Sequence, residues 1–197
     1  TNVDKNDVEK AVTTYKIPSN KKILGFIGRL DEQKGIIPFI KELSKHKGKF
    51  YDSVIILVGS GSQEEEIKAI IKKLNLEDLF ILTGFQENIK SFYLIIDVFF
   101  LPSLYEGLPM VLLEAMAFKK PIISMDVGSI KEVIINEETG ILINEGDYQG
   151  FIKELIKLKN DDMLREKLAL KGFEYVNKNY NIKNYENNIG KLYKQLI

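Results

Sequence analysis

The sequence predicts an α/β fold: a six-stranded parallel sheet flanked by helices, with further helices at the C-terminal end. Three observations lead to it. Short apolar runs alternate with helical segments six times before Asp147. After Asp147 the pattern is helical throughout. The longest apolar stretches, such as 94–101, are interrupted by charge or fall far short of the roughly 20 residues of a membrane span.

The elements follow in order. Lys22-Ile23-Leu24-Gly25-Phe26-Ile27-Gly28 has the form of a fully buried strand. The loop Arg29-Leu30-Asp31-Glu32-Gln33-Lys34-Gly35 follows, then a helix over about 36–47 that tolerates Pro38 in its first turn. Residues 54–58 form the second strand, closed by Gly59-Ser60-Gly61, and Ser62-Gln63-Glu64-Glu65 fits a capping box for a helix to about 74. The third strand, 80–82, ends at Thr83-Gly84-Phe85, and 88–93 reads as a brief helix. The fourth strand, 98–101, leads into a helix that starts at Pro109, a residue at home in a first turn. Strands at 121–124 and 140–143 flank a second capping-box pattern, Ser129-Ile130-Lys131-Glu132. Helices are expected over 148–158, 162–177 and 182–197.

With 197 residues, 45% of them hydrophobic and 28% charged, the chain can bury one good-sized core. The 28 basic residues cancel the 28 acidic ones, so no global field favours nucleic acid or an anionic membrane surface, and any anion site must be local. Cysteine is absent, which excludes disulfides and thiolate metal sites and is compatible with a reducing cytoplasm. The single His46 stands between Lys45 and Lys47 near a helix end, so histidine-metal and serine-histidine schemes have no basis, and no carboxylates are spaced to hold a cation. The start, Thr1-Asn2-Val3-Asp4-Lys5, has neither an initiator methionine nor a signal pattern and is expected to be an internal cut in a longer protein. The high Ile, Lys and Asn content suggests an AT-rich bacterial genome.

In an open parallel sheet, ligands bind where the loops gather at the strands' carboxyl ends. Arg29 and Lys34 place two cations in the first such loop. A lysine at a helix start opposes the helix dipole, so a diphosphate there would explain both residues. The alternative is a solvated loop in which Asp31 and Glu32 neutralise them. Gly59-Ser60-Gly61 resembles a phosphate loop, but Glu64-Glu65-Glu66 crowds the helix start behind it, so it reads as a structural turn. Glu106 lies just before the Pro109 helix, where the amides of Leu108, Met110 and Val111 are candidates to face an anion; alternatively, Glu106 is a capping acid. Glu114 is the one charge in an otherwise apolar helix. No neighbour one turn away offers a donor, so its partner must come from elsewhere in the fold or from a ligand; a buried salt bridge is the alternative.

Taken as an ordered set, Gly28-Arg29-Leu30-Asp31-Glu32-Gln33-Lys34-Gly35, Val58-Gly59-Ser60-Gly61, Thr83-Gly84-Phe85 and Glu106-x7-Glu114 followed by Ala115-Met116-Ala117 closely resemble the family 4 glycosyltransferases of the GT-B fold. The resemblance covers nearly the whole chain and matches only the C-terminal, Rossmann-like, donor-binding half. It implies a retaining glycosyltransferase of bacterial polysaccharide biosynthesis that uses a nucleoside-diphosphate sugar such as a UDP-sugar, with no metal and no other cofactor. By the resemblance, Arg29 and Lys34 hold the diphosphate and stabilise the leaving group, Glu106 binds sugar hydroxyls beside the reacting carbon, and Glu114 binds the ribose. The amides around Leu108, Met110 and Val111 line the phosphates, the loop from Thr83 through Gly84 to Phe85 borders the base, and Gly28 and Gly107 are further donor-binding residues. Pro109 replaces a glycine often found in the family and removes one donor N–H.

The resemblance divides the chain into a linker and lead-in at 1–20, the donor-binding domain at 21–177, and a helix at 178–197 that crosses back to a missing N-terminal, acceptor-binding half. It implies an inactive isolated domain and a cytoplasmic location, with any attachment to the inner membrane face running through the missing half. A sugar-nucleotide epimerase or a non-catalytic nucleotide-sugar module on the same scaffold are the alternatives.

Overall fold

The computed structural model describes residues 5–180. Six parallel strands form one sheet: β1 (Lys22–Ile27), β2 (Ser53–Val58), β3 (Phe80–Gly84), β4 (Val98–Leu101), β5 (Ile122–Asp126) and β6 (Ile141–Asn144), in the order β3-β2-β1-β4-β5-β6. The helices are α1 (Lys5–Thr14), α2 (Ile36–Ser44), α3 (Glu64–Lys73), α4 (Lys90–Ile95), α5 (Met110–Ala117), α6 (Ile130–Val133), α7 (Tyr148–Asn160) and α8 (Asp162–Asn179). The expected final helix over 182–197 and the opening Asn2-Val3-Asp4 lie outside the described residues.

Covering both faces is why the strands read as continuous apolar runs rather than alternating ones. Every residue of β2 and β4 is buried. On one face α2 packs against α3 and α7, and on the other α1 packs against α4 and α5 against α8. Phe39 of α2 stacks on Phe100 of β4 at 4.6 Å between ring centroids and meets Phe151 of α7 edge-on at 5.8 Å, tying the first of these layers to the central strands. Helix α5 buries Leu112, Leu113, Ala115 and Met116 and packs against β5 and α8, while Met110 and Ala117 face outward.

Several local expectations shift. Pro109 has extended geometry (φ −77°, ψ 101°) and stands just before α5, which starts at Met110, so it acts as the N-cap rather than as the first helical residue. Neither capping box forms. Ser62 gives both its amide and its hydroxyl to Asp31, and α3 starts after Gln63; Ser129 makes no side-chain cap, and its φ −91°, ψ 14° is not the extended geometry a capping residue needs. Side-chain caps occur instead at Asp147, which accepts from the Gly150 amide, and at Asp161, which accepts from Leu164. Residues 5–14, part of the lead-in in the sequence reading, form α1; it buries Ala11 against α4, and the following Tyr15 donates its hydroxyl to the Thr83 carbonyl at 3.2 Å.

Candidate functional site

The sheet order reverses between β1 and β4: the chain leaves β1 toward β2 and β3, and leaves β4 toward β5 and β6. Connections diverging from two adjacent strands open a crevice beyond their carboxyl ends, the usual ligand position in such sheets. The loop after β1 makes one 3-10 turn, Glu32–Lys34, closed by Gly35 at φ +64°. A Cβ on Gly35 would stand 2.1 Å from the Pro102 carbonyl oxygen and 2.6 Å from the Tyr148 hydroxyl, so this loop presses directly on the end of β4. Two hydrogen bonds hold it there: the Leu104 amide donates to the Gln33 carbonyl at 2.8 Å, and Gln33 Nε2 donates to the Tyr105 carbonyl at 3.0 Å.

This contact brings Lys34 to Glu106. Lys34 Nζ lies 2.6 Å from Glu106 Oε1, which also accepts the Ser103 hydroxyl at 2.6 Å. The two charged side chains are only 15% and 5% exposed, so neither could be there without the other. The β5–α6 loop packs against the backbone of Glu106, since a Cβ on Gly128 would stand 1.9 Å from its carbonyl oxygen.

Arg29 is placed differently. Its side chain is 73% exposed and meets Asp31 at 3.3 Å, a surface pair worth at most about 1 kcal/mol. Asp31 is fixed on its other side by Ser62, whose amide and hydroxyl donate to Oδ1; these bonds hold its carboxyl below the usual carboxylate range against the opposing effect of burial, with lesser help from Arg29 and Lys34. The loop after β2 packs closely on the β1 loop, because a Cβ on Gly59 would stand 1.9 Å from the Gly28 carbonyl oxygen.

A cleft of about 380 Å³ opens beside these loops, lined by Gly28 and Arg29 from the β1 loop, Val58, Gly59 and Ser60 from β2 and its turn, Phe85, Gln86 and Ile89 beyond β3, and Val111 of α5. The first amides of α5, at Met110 and Val111, have no acceptor within their own helix, and Leu112 already uses the Pro109 carbonyl at 3.0 Å. Met110, Leu108 and Phe85 expose their side chains. Glu114, one turn into α5, accepts the Tyr93 hydroxyl at 2.8 Å on Oε2. Burial, and secondly the Glu114 charge, push the Tyr93 phenol far above its ordinary value, so it remains a donor.

The sequence profile described as Glycosyl transferases group 1 matches residues 7–175. The chain belongs to this family. Its group 1 relatives include the capsular polysaccharide biosynthesis glycosyltransferase CapM of Staphylococcus aureus, 28% identical over 86% of this chain and 44% of that protein. They also include the UDP-Gal:alpha-D-GlcNAc-diphosphoundecaprenol alpha-1,3-galactosyltransferase of Escherichia coli, 30% identical over 82% of this chain and 42% of that protein. The chain thus spans less than half the length of these two curated relatives. Among solved structures, the C-terminal domain of the group 1 protein LpcC from Francisella tularensis superposes with a TM-score of 0.78 at 29% identity, covering 88% of this chain and 92% of that one. The fold of this group 1 chain is therefore the Rossmann-like C-terminal half of a GT-B glycosyltransferase.

The structure gathers Gly28, Arg29, Lys34, Gly84, Phe85, Glu106, Gly107, Leu108, Met110, Val111 and Glu114 along the carboxyl edge of the sheet, on the loops and helix that follow β1, β3 and β4. It departs from the sequence reading in how they are paired. Lys34 and Glu106 neutralise each other rather than standing separately, and Asp31 meets Arg29 alone. The Glu114 partner is a phenol rather than a Lys or Arg. Sequence reasoning missed Ser103, Tyr93, Gln33 and Gly128. Only Ser103, three residues before Glu106 in the same loop, was within reach of a local pattern. Among the described residues, no group of three or more His, Cys, Asp or Glu side chains comes together as a metal site, and no helix is long and apolar enough to cross a membrane.

The ion pair makes a direct prediction. Glu106→Ala leaves Lys34 buried without a counter-charge and lowers stability by about 3–5 kcal/mol, whereas Lys34→Met combined with Glu106→Leu recovers most of the loss. Urea unfolding of the three proteins measures both, and a loss under about 1 kcal/mol for the single variant would show that the pair is not shielded from water. A second prediction concerns Tyr148, whose hydroxyl donates to the Pro102 carbonyl at 3.2 Å and whose phenol burial pushes up to about 12. The folded state then holds the proton more tightly than the unfolded chain, whose phenols titrate near about 10. That stability is fully present below pH 10 and is lost as pH rises toward 12. Tyr148→Phe flattens this alkaline limb when unfolding is followed across the window, and an unchanged slope would place the phenol in water.

Proposed function

We propose that this chain is the donor half of a retaining, family 4-type glycosyltransferase, and that it holds a nucleoside-diphosphate sugar in the crevice where β1 and β4 diverge. The observation that carries this reading is the buried Lys34–Glu106 pair, which joins the two diverging loops at the sheet's switch point beside the first amides of α5. In the proposal, Arg29 leaves its weak surface contact with Asp31 to grip the diphosphate in a fork, and Lys34 adds a point charge. Both cations stabilise the negative charge that builds on the leaving diphosphate as its bond to the sugar's anomeric carbon breaks. The amides of Leu108, Met110 and Val111 complete the phosphate cradle, with Pro109 contributing none. Glu106 faces the donor-sugar hydroxyls, Glu114 the ribose hydroxyls, and Gly84 and Phe85 the base in the 380 Å³ cleft.

No metal or other cofactor enters this scheme, since two side-chain cations and a helix N-terminus supply the positive field. The acceptor belongs to the part of its relatives that this chain does not span. The CapM and galactosyltransferase names support a glycan or lipid-linked acceptor in bacterial polysaccharide assembly; in the proposal the transfer takes place in the cytoplasm or at the inner membrane face. Alone, the chain binds donor and transfers little or nothing.

Calorimetric titration with UDP, GDP and ADP tests the reading. At least one binds, and Arg29→Ala or Lys34→Ala, in folded protein, weakens that binding by about 1.5–3 kcal/mol each, the range for hydrogen bonds to charged groups. No binding of any of the three at millimolar concentration, or affinities unchanged by both substitutions, would contradict it.

A further inference from the structure

We propose that Tyr93 is a positioning residue for the nucleotide site: its buried hydroxyl fixes the Glu114 carboxylate so that the remaining oxygen meets the ribose diol, which makes Tyr93 a determinant of ribose recognition. This rests on the reading of Glu114 as the ribose-binding carboxylate and goes beyond it.

The geometry places the pair behind the wall of the cleft. Ile89, at the start of α4, and Val111, in the first turn of α5, line the cleft. Tyr93 lies four residues after Ile89 and Glu114 three after Val111, so each stands on the same helical face as a lining residue, one turn further in. Side chains lean toward a helix's N-terminus, which tilts the Glu114 carboxylate back toward Val111 and the opening. The Tyr93 hydroxyl donates to Glu114 Oε2 at 2.8 Å and lies 3.2 Å from the Val111 carbonyl, so it ties the carboxylate to the backbone of the cleft wall. The ring itself cannot swing away. It is 1% exposed, stacked on Phe118 at 5.2 Å with 8° between planes, and against Phe99 at 5.8 Å.

A carboxylate offers about four acceptor sites, and the Tyr93 bond is the one recorded for Glu114 among the described residues. Glu114 is only half-buried, so acceptor capacity remains on its open side. Two adjacent hydroxyls match that capacity, whereas water bound there would leave nothing for the protein to orient. A free glutamate rotor would lose side-chain entropy on meeting a diol; one held by a locked phenol has lost it already.

The test measures a ratio. This chain is titrated with UDP and with 2′,3′-dideoxyuridine diphosphate, and with the corresponding guanosine and adenosine pairs, as wild type, Tyr93→Phe, Glu114→Gln and the Glu114→Gln/Tyr93→Phe double variant. The wild type prefers the ribonucleotide by about tenfold or more, the size of one charged hydrogen bond. In Tyr93→Phe that preference falls by at least about threefold, while a role confined to packing would lower stability and leave the ratio alone. The double variant carries no buried unpaired charge. If Tyr93→Phe does not fold, comparing the double variant with Glu114→Gln gives the same information, and the preference is lower without the phenol. A preference unchanged between wild type and Tyr93→Phe, or one retained by Glu114→Gln and unchanged in the double variant, overturns the inference while leaving the donor site standing. A wild type that binds but ignores the ribose overturns it together with the Glu114 role, and a wild type that binds no nucleotide overturns the proposed function as well.

Discussion

A lysine ammonium and a glutamate carboxylate 2.6 Å apart, both largely withdrawn from water, join the two loops that leave the central strands β1 and β4. Desolvating either charge alone is prohibitive, so the pair forms only if both loops arrive together. The surrounding chain makes sure that they do. Gly35 permits the left-handed turn that seats the β1 loop on Pro102, Gln33 binds Leu104 and Tyr105, Ser103 shares the carboxylate oxygen, and Gly128 brings the β5 loop onto Glu106. Beyond these, Asp31 reaches Ser62 in the loop after β2. The carboxyl edge of the sheet is thus a set of loops laced together by these contacts.

The same edge contains elements held loosely. Arg29 is largely exposed, and Phe85, Leu108 and Met110 present apolar surface around the cleft. A site with a buried, charge-neutral centre and an exposed cation at its lip suits an anionic ligand whose binding redistributes existing contacts instead of creating them all anew. Under the proposed function, the diphosphate takes Arg29 from Asp31 and shares Lys34 with Glu106, so the change in contacts between empty and occupied states is small. Preorganisation of this kind limits the entropy lost on binding.

Much of the fold was legible because the central strands β1, β2 and β4 are buried on both sides and therefore appear as unbroken apolar runs. The site loops stood out for a related reason. Arg29, Lys34 and Glu106 are charges where a plain connection needs none, and Glu114 is a charge in a helix with no polar face. What could not be read were the partners. Tyr93 meets Glu114 and Gly128 meets Glu106 only through the packing of separate elements, and a buried tyrosine in an apolar helix looks like core. Both capping boxes failed because a Ser-x-x-Glu pattern states only local capacity: Asp31 competes for Ser62, and the backbone at Ser129 turns too early. Helix α1 was legible too, since Val8, Ala11, Val12 and Tyr15 recur at helical spacing and the last three reach the core.

The central claim is that the ligand site lies at the carboxyl edge between β1 and β4. A hollow lined by Lys22, Asp52 and Asp97 at the opposite edge of the sheet is a ready control. Backbone amide chemical shifts mapped during a titration with UDP decide between them. The account predicts changes concentrated at Gly28 to Gly35, at Gly84 to Gln86 and from Leu108 to Glu114. Changes centred on Lys22 and Asp97, with those loops unmoved, would contradict it.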